Sequence, residues 1–289
     1  MTVGGRPNGA PASVGVVGAG AMGTGIAHAF LVAGSRVALV DVGEDVLPRS
    51  VERLRTLLQQ THYRGQLDGA PDQVERRLQV GTDLAAVAAS ALVVEAVPEV
   101  PAVKIGVLGA VEAVVAADTV LATNTSSISV GELGQVLEHP ERFLGLHFFN
   151  PVPASLMVEV VVGPCTAPEF RDRAVTSVQL IGKEPVLVRD APGFASSRLG
   201  VMLGLEAIRM VEEGVATPED IDKAMTLGYK HPIGPLHLTD LVGLDVRLAI
   251  ADYLSVALGP RFAPPTLLRT MVEQGYVGRK SGRGFFSYE

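Results

Sequence analysis

Residues 14–41 read VGVVGAGAMGTGIAHAFLVAGSRVALVD. An apolar run over 14–17 leads into the glycine turn GAGAMG (18–23). A helical pattern follows over 24–32 and stops at Gly34, and a second apolar run, 36–41, ends on Asp41. Strand, glycine turn, helix, strand is a unit whose natural packing is two parallel strands joined by a crossover. The glycines differ in what they permit. Gly18 makes the tight turn, Gly20 lets backbone approach a pyrophosphate, and Gly23 lets helix and strand pack closely. The helix start at Ala21 and Met22 then offers unpaired N–H groups to an anion. Asp41 lies 18 residues beyond the last glycine, near the spacing of a dinucleotide fingerprint. Its carboxylate would accept from both adenosine ribose hydroxyls and repel a 2′-phosphate, which favours NAD over NADP. A lone GxGxxG also occurs in plain turns; here the strand, the helix and the acid coincide with it.

The remainder of the chain is consistent with that start. It has 289 residues, 47% of them hydrophobic and 19% charged, enough for about two domains and a sizeable core. With no Trp and 5% aromatics, the core must be Val, Leu, Ala and Ile, as in buried parallel strands. A net charge of −7 argues against a nucleic-acid partner, which needs a basic face. It leaves room for a phosphate-bearing ligand held by local dipoles. No apolar run reaches the roughly 18 residues of a membrane span, and the first residues lack the order of a signal peptide. The single cysteine, Cys165, excludes an intrachain disulfide and a Cys-cluster metal site, and suits a reducing cytoplasm. No His/Asp/Glu cluster has zinc-ligand spacing, so no metal is expected, and no GxSxG occurs.

Further along, 43–78 reads as a helical, charged excursion broken near Gly65, Gly69 and Pro71. Strands are expected over 91–97, 119–123, 143–147, 157–162 and 185–188, and helices over 101–116 and 170–181. After Asp190 the texture becomes helical throughout (194–211, 217–227, 243–258 and 265–272). The expected organisation is a Gly/Pro-rich flexible leader over 1–12, a Rossmann-like doubly wound parallel sheet with a helical excursion over 13–190, and an all-α domain over 191–289.

Two further groups of residues carry chemistry. His147 ends an apolar strand, where open α/β sheets face their ligand crevice. Glu159 lies inside the apolar run MVEVVV and needs a partner if buried. An imidazole bonded to a carboxylate is fixed in one tautomer and made more basic, toward neutrality, as a general base requires. The pattern is equally compatible with a packed histidine and a structural acid. Asn124 and Ser126, in NTSS (124–127), follow a strand; such residues can hold a substrate oxygen, but by themselves they fit a helix cap better. His28, His231, His237 and Cys165 are read as packing, turn or inert residues.

Taken together, GAGAMG, Asp41, VVEAVPE (93–99), NTSS, GLHFFNPV (145–152), DAPGF (190–194), HPIGP (231–235), DLVGLD (240–245) and GRKSGRGFF (278–286) resemble the L-3-hydroxyacyl-CoA dehydrogenase family, in particular its stand-alone 3-hydroxybutyryl-CoA members. The resemblance spans 14–288. It implies NAD-dependent oxidation of an L-3-hydroxyacyl-CoA to the 3-ketoacyl-CoA, and the reverse. It implies His147 as general base, Glu159 orienting it, Ser126 at the substrate's C3 oxygen, Asn150 beside the nicotinamide and the reacting carbon, and Glu99 and Lys104 at the cofactor's ribose region. Two positions depart from the pattern. Ser197 stands where many members carry Asn in the helix after PGF, and is expected to keep a role as a shorter hydrogen-bonder. Gln66 stands where many carry a Lys near the coenzyme A phosphates, so Arg64 is the expected substitute. The alternatives are a dehydrogenase of a free 3-hydroxy acid or sugar acid, and an NAD-binding protein without turnover. The active site is expected at the carboxyl ends of the strands, facing the second domain, and a homodimer through 190–289 is expected to cover the helical domain's apolar stripes.

Overall fold

The computed structural model describes residues 11–288. Apart from Pro11 and Ala12, the leader expected over 1–12 lies outside them. The chain divides into two compact units, one ending at Asp190 and one beginning at Ala191.

The first unit runs β1 (Ser13–Val17), α1 (Ala21–Val32), β2 (Arg36–Val40), α2 (Val46–Tyr63), α3 (Pro71–Glu75), β3 (Leu78–Gly81), β4 (Leu92–Glu95), α4 (Pro101–Glu112), β5 (Val120–Thr123), α5 (Val130–Gly134), β6 (Phe143–Phe148), β7 (Met157–Val162), α6 (Pro168–Leu180) and β8 (Glu184–Arg189). One sheet holds all eight strands in the order β3-β2-β1-β4-β5-β6-β7-β8. The reversal of direction at β1 is the switch point where such sheets bind ligands. β4 and β5 are buried at every residue, which explains their unbroken apolar reading. Val14, Val16, Ile26, Phe30, Leu39 and Val94 form the centre of the core.

The structure amends the expected sheet in two ways. β7 pairs antiparallel with β6, because residues 149–156 are too few for a crossover, which needs about a dozen. β3, a strand absent from the sequence expectations, begins where the helical excursion was expected to end and pairs parallel with β2 at the sheet's edge. Its four half-exposed residues are too short to stand out from the helical charge pattern before them.

The second unit holds α7 (Ser196–Glu212), α8 (Pro218–Lys223), α9 (Pro235–Val242), α10 (Leu244–Leu258) and α11 (Thr266–Glu273). They pack around Val201, Leu205, Ile208, Leu236, Leu254 and Phe262. The sequence pattern missed α9. Pro235 occupies its first turn, where a missing N–H costs nothing, so HPIGP starts a helix and places His237 inside it rather than in a turn. Asp222 accepts the amides of Leu236 and His237, each at 2.9 Å. Asp240, buried, accepts the amides of Phe285 and Phe286 and the Tyr288 hydroxyl, pinning the final segment. Among the described residues no helix is long and apolar enough to cross a membrane, and no group of three His, Cys, Asp or Glu is placed to hold a metal.

Candidate active site

The glycine turn is built on close contacts. Gly18 has φ +104° and its Cα faces the Ala96 carbonyl, so an added Cβ would lie 2.6 Å from it. A Cβ on Gly23 would lie 1.7 Å from the Gly18 oxygen, whereas one on Gly20 would meet nothing within 4 Å. Gly18 and Gly23 are therefore required by the fold, and Gly20 opens onto free space. It caps α1 without a side chain, leaving the first-turn amides to an anion. Asp41, at the end of β2, accepts the Ala19 amide at 2.7 Å and the Gly43 amide at 2.9 Å. These bonds fix the carboxylate beside the turn while leaving lone pairs for further donors.

Along the carboxyl ends of β1, β2, β4 and β5 runs a largely apolar cleft of about 710 Å³. It brings together Gly18, Met22, Asp41, Glu99, Asn124 and Ser126. Below its floor lies a polar hub. Glu95 and Lys104 are each 1% exposed and pair at 2.8 Å. Glu95 also accepts the Thr123 hydroxyl (2.6 Å) and the Val97 amide (2.7 Å). Lys104 reaches on to Glu99 at 3.2 Å, and Glu99 accepts the Thr125 hydroxyl (2.6 Å) and the Ser126 amide (2.9 Å). The two halves of NTSS thus divide their work: Thr125 caps the turn by accepting from Ile128, while Asn124 and Ser126 line the cleft.

At the end of β6, His147 stands opposite Glu159 of β7, with Nδ1 2.7 Å from the carboxylate. The acid is wholly buried and the imidazole nearly so, and the Phe149 ring packs on the imidazole at 4.6 Å between centroids. Asn124 accepts the Phe148 amide at 2.9 Å, tying the cleft-lining end of β5 to the strand that carries His147.

Two family descriptions cover the chain: the NAD binding domain of 3-hydroxyacyl-CoA dehydrogenase matches residues 13–191, and its C-terminal domain matches 193–288. The chain belongs to the 3-hydroxyacyl-CoA dehydrogenase family. It is 41% identical over 275 residues to a probable 3-hydroxybutyryl-CoA dehydrogenase of Deinococcus radiodurans, covering 95% of this chain and 99% of that one. It is 42% identical over 280 residues to a 3-hydroxybutyryl-CoA dehydrogenase of Mycobacterium tuberculosis, covering 95% and 98%. The crystal structure of (S)-3-hydroxybutyryl-CoA dehydrogenase from Ralstonia eutropha is similar with a TM-score of 0.93, at 36% identity, covering 97% and 100%.

As a 3-hydroxyacyl-CoA dehydrogenase the chain is an oxidoreductase whose cofactor is NAD. The cleft fits that molecule: the turn presents Gly20 and bare helix amides where a pyrophosphate lies, and Asp41 stands at the end of β2 where a ribose lies. Not every expected site residue borders the cleft. Lys104 is sealed beneath it with its ammonium held by Glu95, Glu99 and the Val97 carbonyl, where it supports Glu99. Its place on the inward side of α4, over the end of β4, is the cause. Arg64 is exposed at the C-terminal end of α2, and Asn150 is exposed just past β6; neither lines the cleft. Ser197 lies half-buried in the first turn of α7, in the second unit. The sequence reading missed Glu95 as a hub. Its signal was a single acid ending the apolar run LVV.

Proposed function

We propose that the chain catalyses the NAD-dependent oxidation of an L-3-hydroxyacyl-CoA, 3-hydroxybutyryl-CoA foremost, to the 3-ketoacyl-CoA, and the reverse reduction. The observation that carries this reading is the buried His147–Glu159 pair at 2.7 Å, on the strand whose Phe148 amide bonds to the cleft-lining Asn124. With Nδ1 given to the carboxylate, Nε2 is the nitrogen that exchanges a proton with the C3 hydroxyl. Glu159 fixes the tautomer and stabilises the imidazolium once the proton has moved. Bound NAD supplies the electron-pair acceptor. Ser126 holds the C3 oxygen from the cleft floor, in a position set by Glu99. Asn124 and Asn150 border the reacting carbon and the nicotinamide. Arg64 meets the coenzyme A phosphates.

The proposed assembly is a cytoplasmic homodimer through the second unit. Leu199, Val256 and Leu241 are 71%, 89% and 55% exposed there.

The deciding assay is oxidation of NADH with acetoacetyl-CoA. Turnover is expected, and His147→Ala should lower kcat by about 10²–10⁴-fold, the usual worth of a general base. An unchanged rate in that variant would remove the mechanism, and a preference for free acetoacetate would replace the thioester.

A further inference from the structure

Between His147 and Glu159 the chain leaves the sheet as the loop 149–156, which carries Asn150. Within the loop the Pro151 carbonyl accepts the amides of Ala154 (3.0 Å) and Ser155 (3.2 Å), and at its end the Leu156 carbonyl accepts the Glu184 amide (2.7 Å). Two other carbonyls, those of Val152 and Ser155, converge on one group, the ammonium of Lys183; the Val152 contact is 2.7 Å. Lys183 is delivered there by the end of α6. Gly182 takes φ +74°, its amide bonds to Gln179, and the Lys183 amide bonds to Val178, a left-handed helix stop that aims the next side chain back across the sheet's end. α1 presses on the loop from another side: a Cβ on Gly25 would lie 2.9 Å from Val152 Cβ, and Val152 is 2% exposed.

We propose that Lys183 is a positioning residue of the active site, whose ammonium locks the loop bearing Asn150 against the dinucleotide-binding helix. An ammonium suits this role because its three donors can meet several carbonyls at once, and charge-assisted bonds are the stronger kind. Among the described residues no carboxylate pairs with Lys183, so the loop carbonyls are its binding partners. The titratable group that faces it is His28 of α1, which burial holds neutral near neutral pH, at a pKa of about 4. Lys183 therefore faces no second positive charge. Burial also lowers the pKa of Lys183 itself. Two loop carbonyls left without a donor would be costly to keep in place, and the loop would shift together with Asn150. The role assigned to Asn150 rests on the proposed function; the anchoring of the loop does not.

The test compares Lys183→Met and Lys183→Cys, the latter in a Cys165→Ser background because Cys165 is exposed and free. Alkylation of the new thiol with bromoethylamine rebuilds an ammonium of nearly lysine length. Both variants should lose about tenfold or more in kcat on acetoacetyl-CoA, with the NADH dissociation constant moved by less than about twofold. Aminoethylation should restore kcat, and the Ala154 and Ser155 amides should exchange faster in Lys183→Met than in the parent protein. The proposal is overturned if kcat survives in Lys183→Met, if aminoethylation restores nothing, or if NADH affinity falls in step with kcat. Should the parent protein not turn over acetoacetyl-CoA, the functional reading fails, and amide exchange alone still decides whether Lys183 anchors the loop.

Discussion

Glu159 and His147 are directly opposed residues of one antiparallel ladder, so their side chains leave the sheet on the same face and meet at 2.7 Å. Alternation along a strand means that Leu146 and Val160, the next opposed pair, point to the other face and enter the core. The backbone register therefore sets the orientation of the imidazole, and the carboxylate completes it. Glu159→Gln keeps the shape and removes the charge that favours an imidazolium. It should lower kcat on the order of 10–10²-fold while NADH affinity holds, read by steady-state kinetics beside fluorescence titration. Equal losses in both measurements would place Glu159 in the scaffold instead.

Gly20 and Gly23 should separate binding from folding. Gly20→Ala meets open space and should leave thermal stability within about 0.5 kcal/mol of the parent, yet weaken NADH by keeping backbone and pyrophosphate apart. Gly23→Ala collides with the Gly18 carbonyl and should cost about 1–3 kcal/mol of stability as well. Denaturation curves paired with NADH titrations give both readings.

Asp41 is expected to govern the choice of dinucleotide. Asp41→Ser removes the charge that opposes a 2′-phosphate and loosens the bonds to Ala19 and Gly43. Activity with NADH should fall about tenfold and activity with NADPH should rise. An unaltered ratio of the two would place selectivity elsewhere.

His28 is expected to make the protein acid-sensitive. It is buried, its Nε2 pairs with the Thr61 hydroxyl at 3.0 Å, and its Nδ1 has no hydrogen-bond partner among the described residues. Burial, foremost, lowers its pKa from 6.5 to about 4. The unfolded chain therefore takes up a proton near pH 6.5 that the folded chain refuses until about pH 4. Folding stability is unaffected above that window and declines as pH falls through it, by on the order of 3 kcal/mol. His28→Leu should flatten this part of the stability–pH curve, as measured by urea unfolding across the window. A curve of unchanged slope would assign the acid sensitivity to other groups.

A dimer through the second unit would run in gel filtration with light scattering at twice 30.2 kDa. Val256→Glu, at an 89% exposed position, should halve that mass without altering helix content, because charge at the core of an apolar interface is strongly disfavoured. A parent protein of 30.2 kDa at micromolar concentration would contradict the assembly.

Most of the fold and of the site could be read from residue identity. Three glycines, an acid after the second strand, and a lone Glu in MVEVVV are choices that only a few backbone or chemical demands explain. The helices whose apolar stripes recur every three to four residues, such as Leu54 and Leu58 of α2, were equally visible. Features decided by tertiary pairing were not. The direction of β7 depends on loop length. β3 depends on an edge being available. α9 depends on Pro235 standing in a first turn. Nothing local in the sequence shows that Lys104, expected at the cofactor's ribose region, ends among carboxylates beneath a cleft, or that Lys183 ends among loop carbonyls.

The imidazole and its carboxylate are twelve positions apart in the chain, while the groove for the dinucleotide gathers residues from Val17 to Ser126. Bringing distant segments together costs more chain entropy than closing a hairpin. The pair proposed to handle the proton is thus held locally, and the groove proposed for adenine and ribose by segments far apart in the chain. Partial opening of the sheet's far strands would release the nucleotide while the hairpin bearing the acid–imidazole contact is still closed.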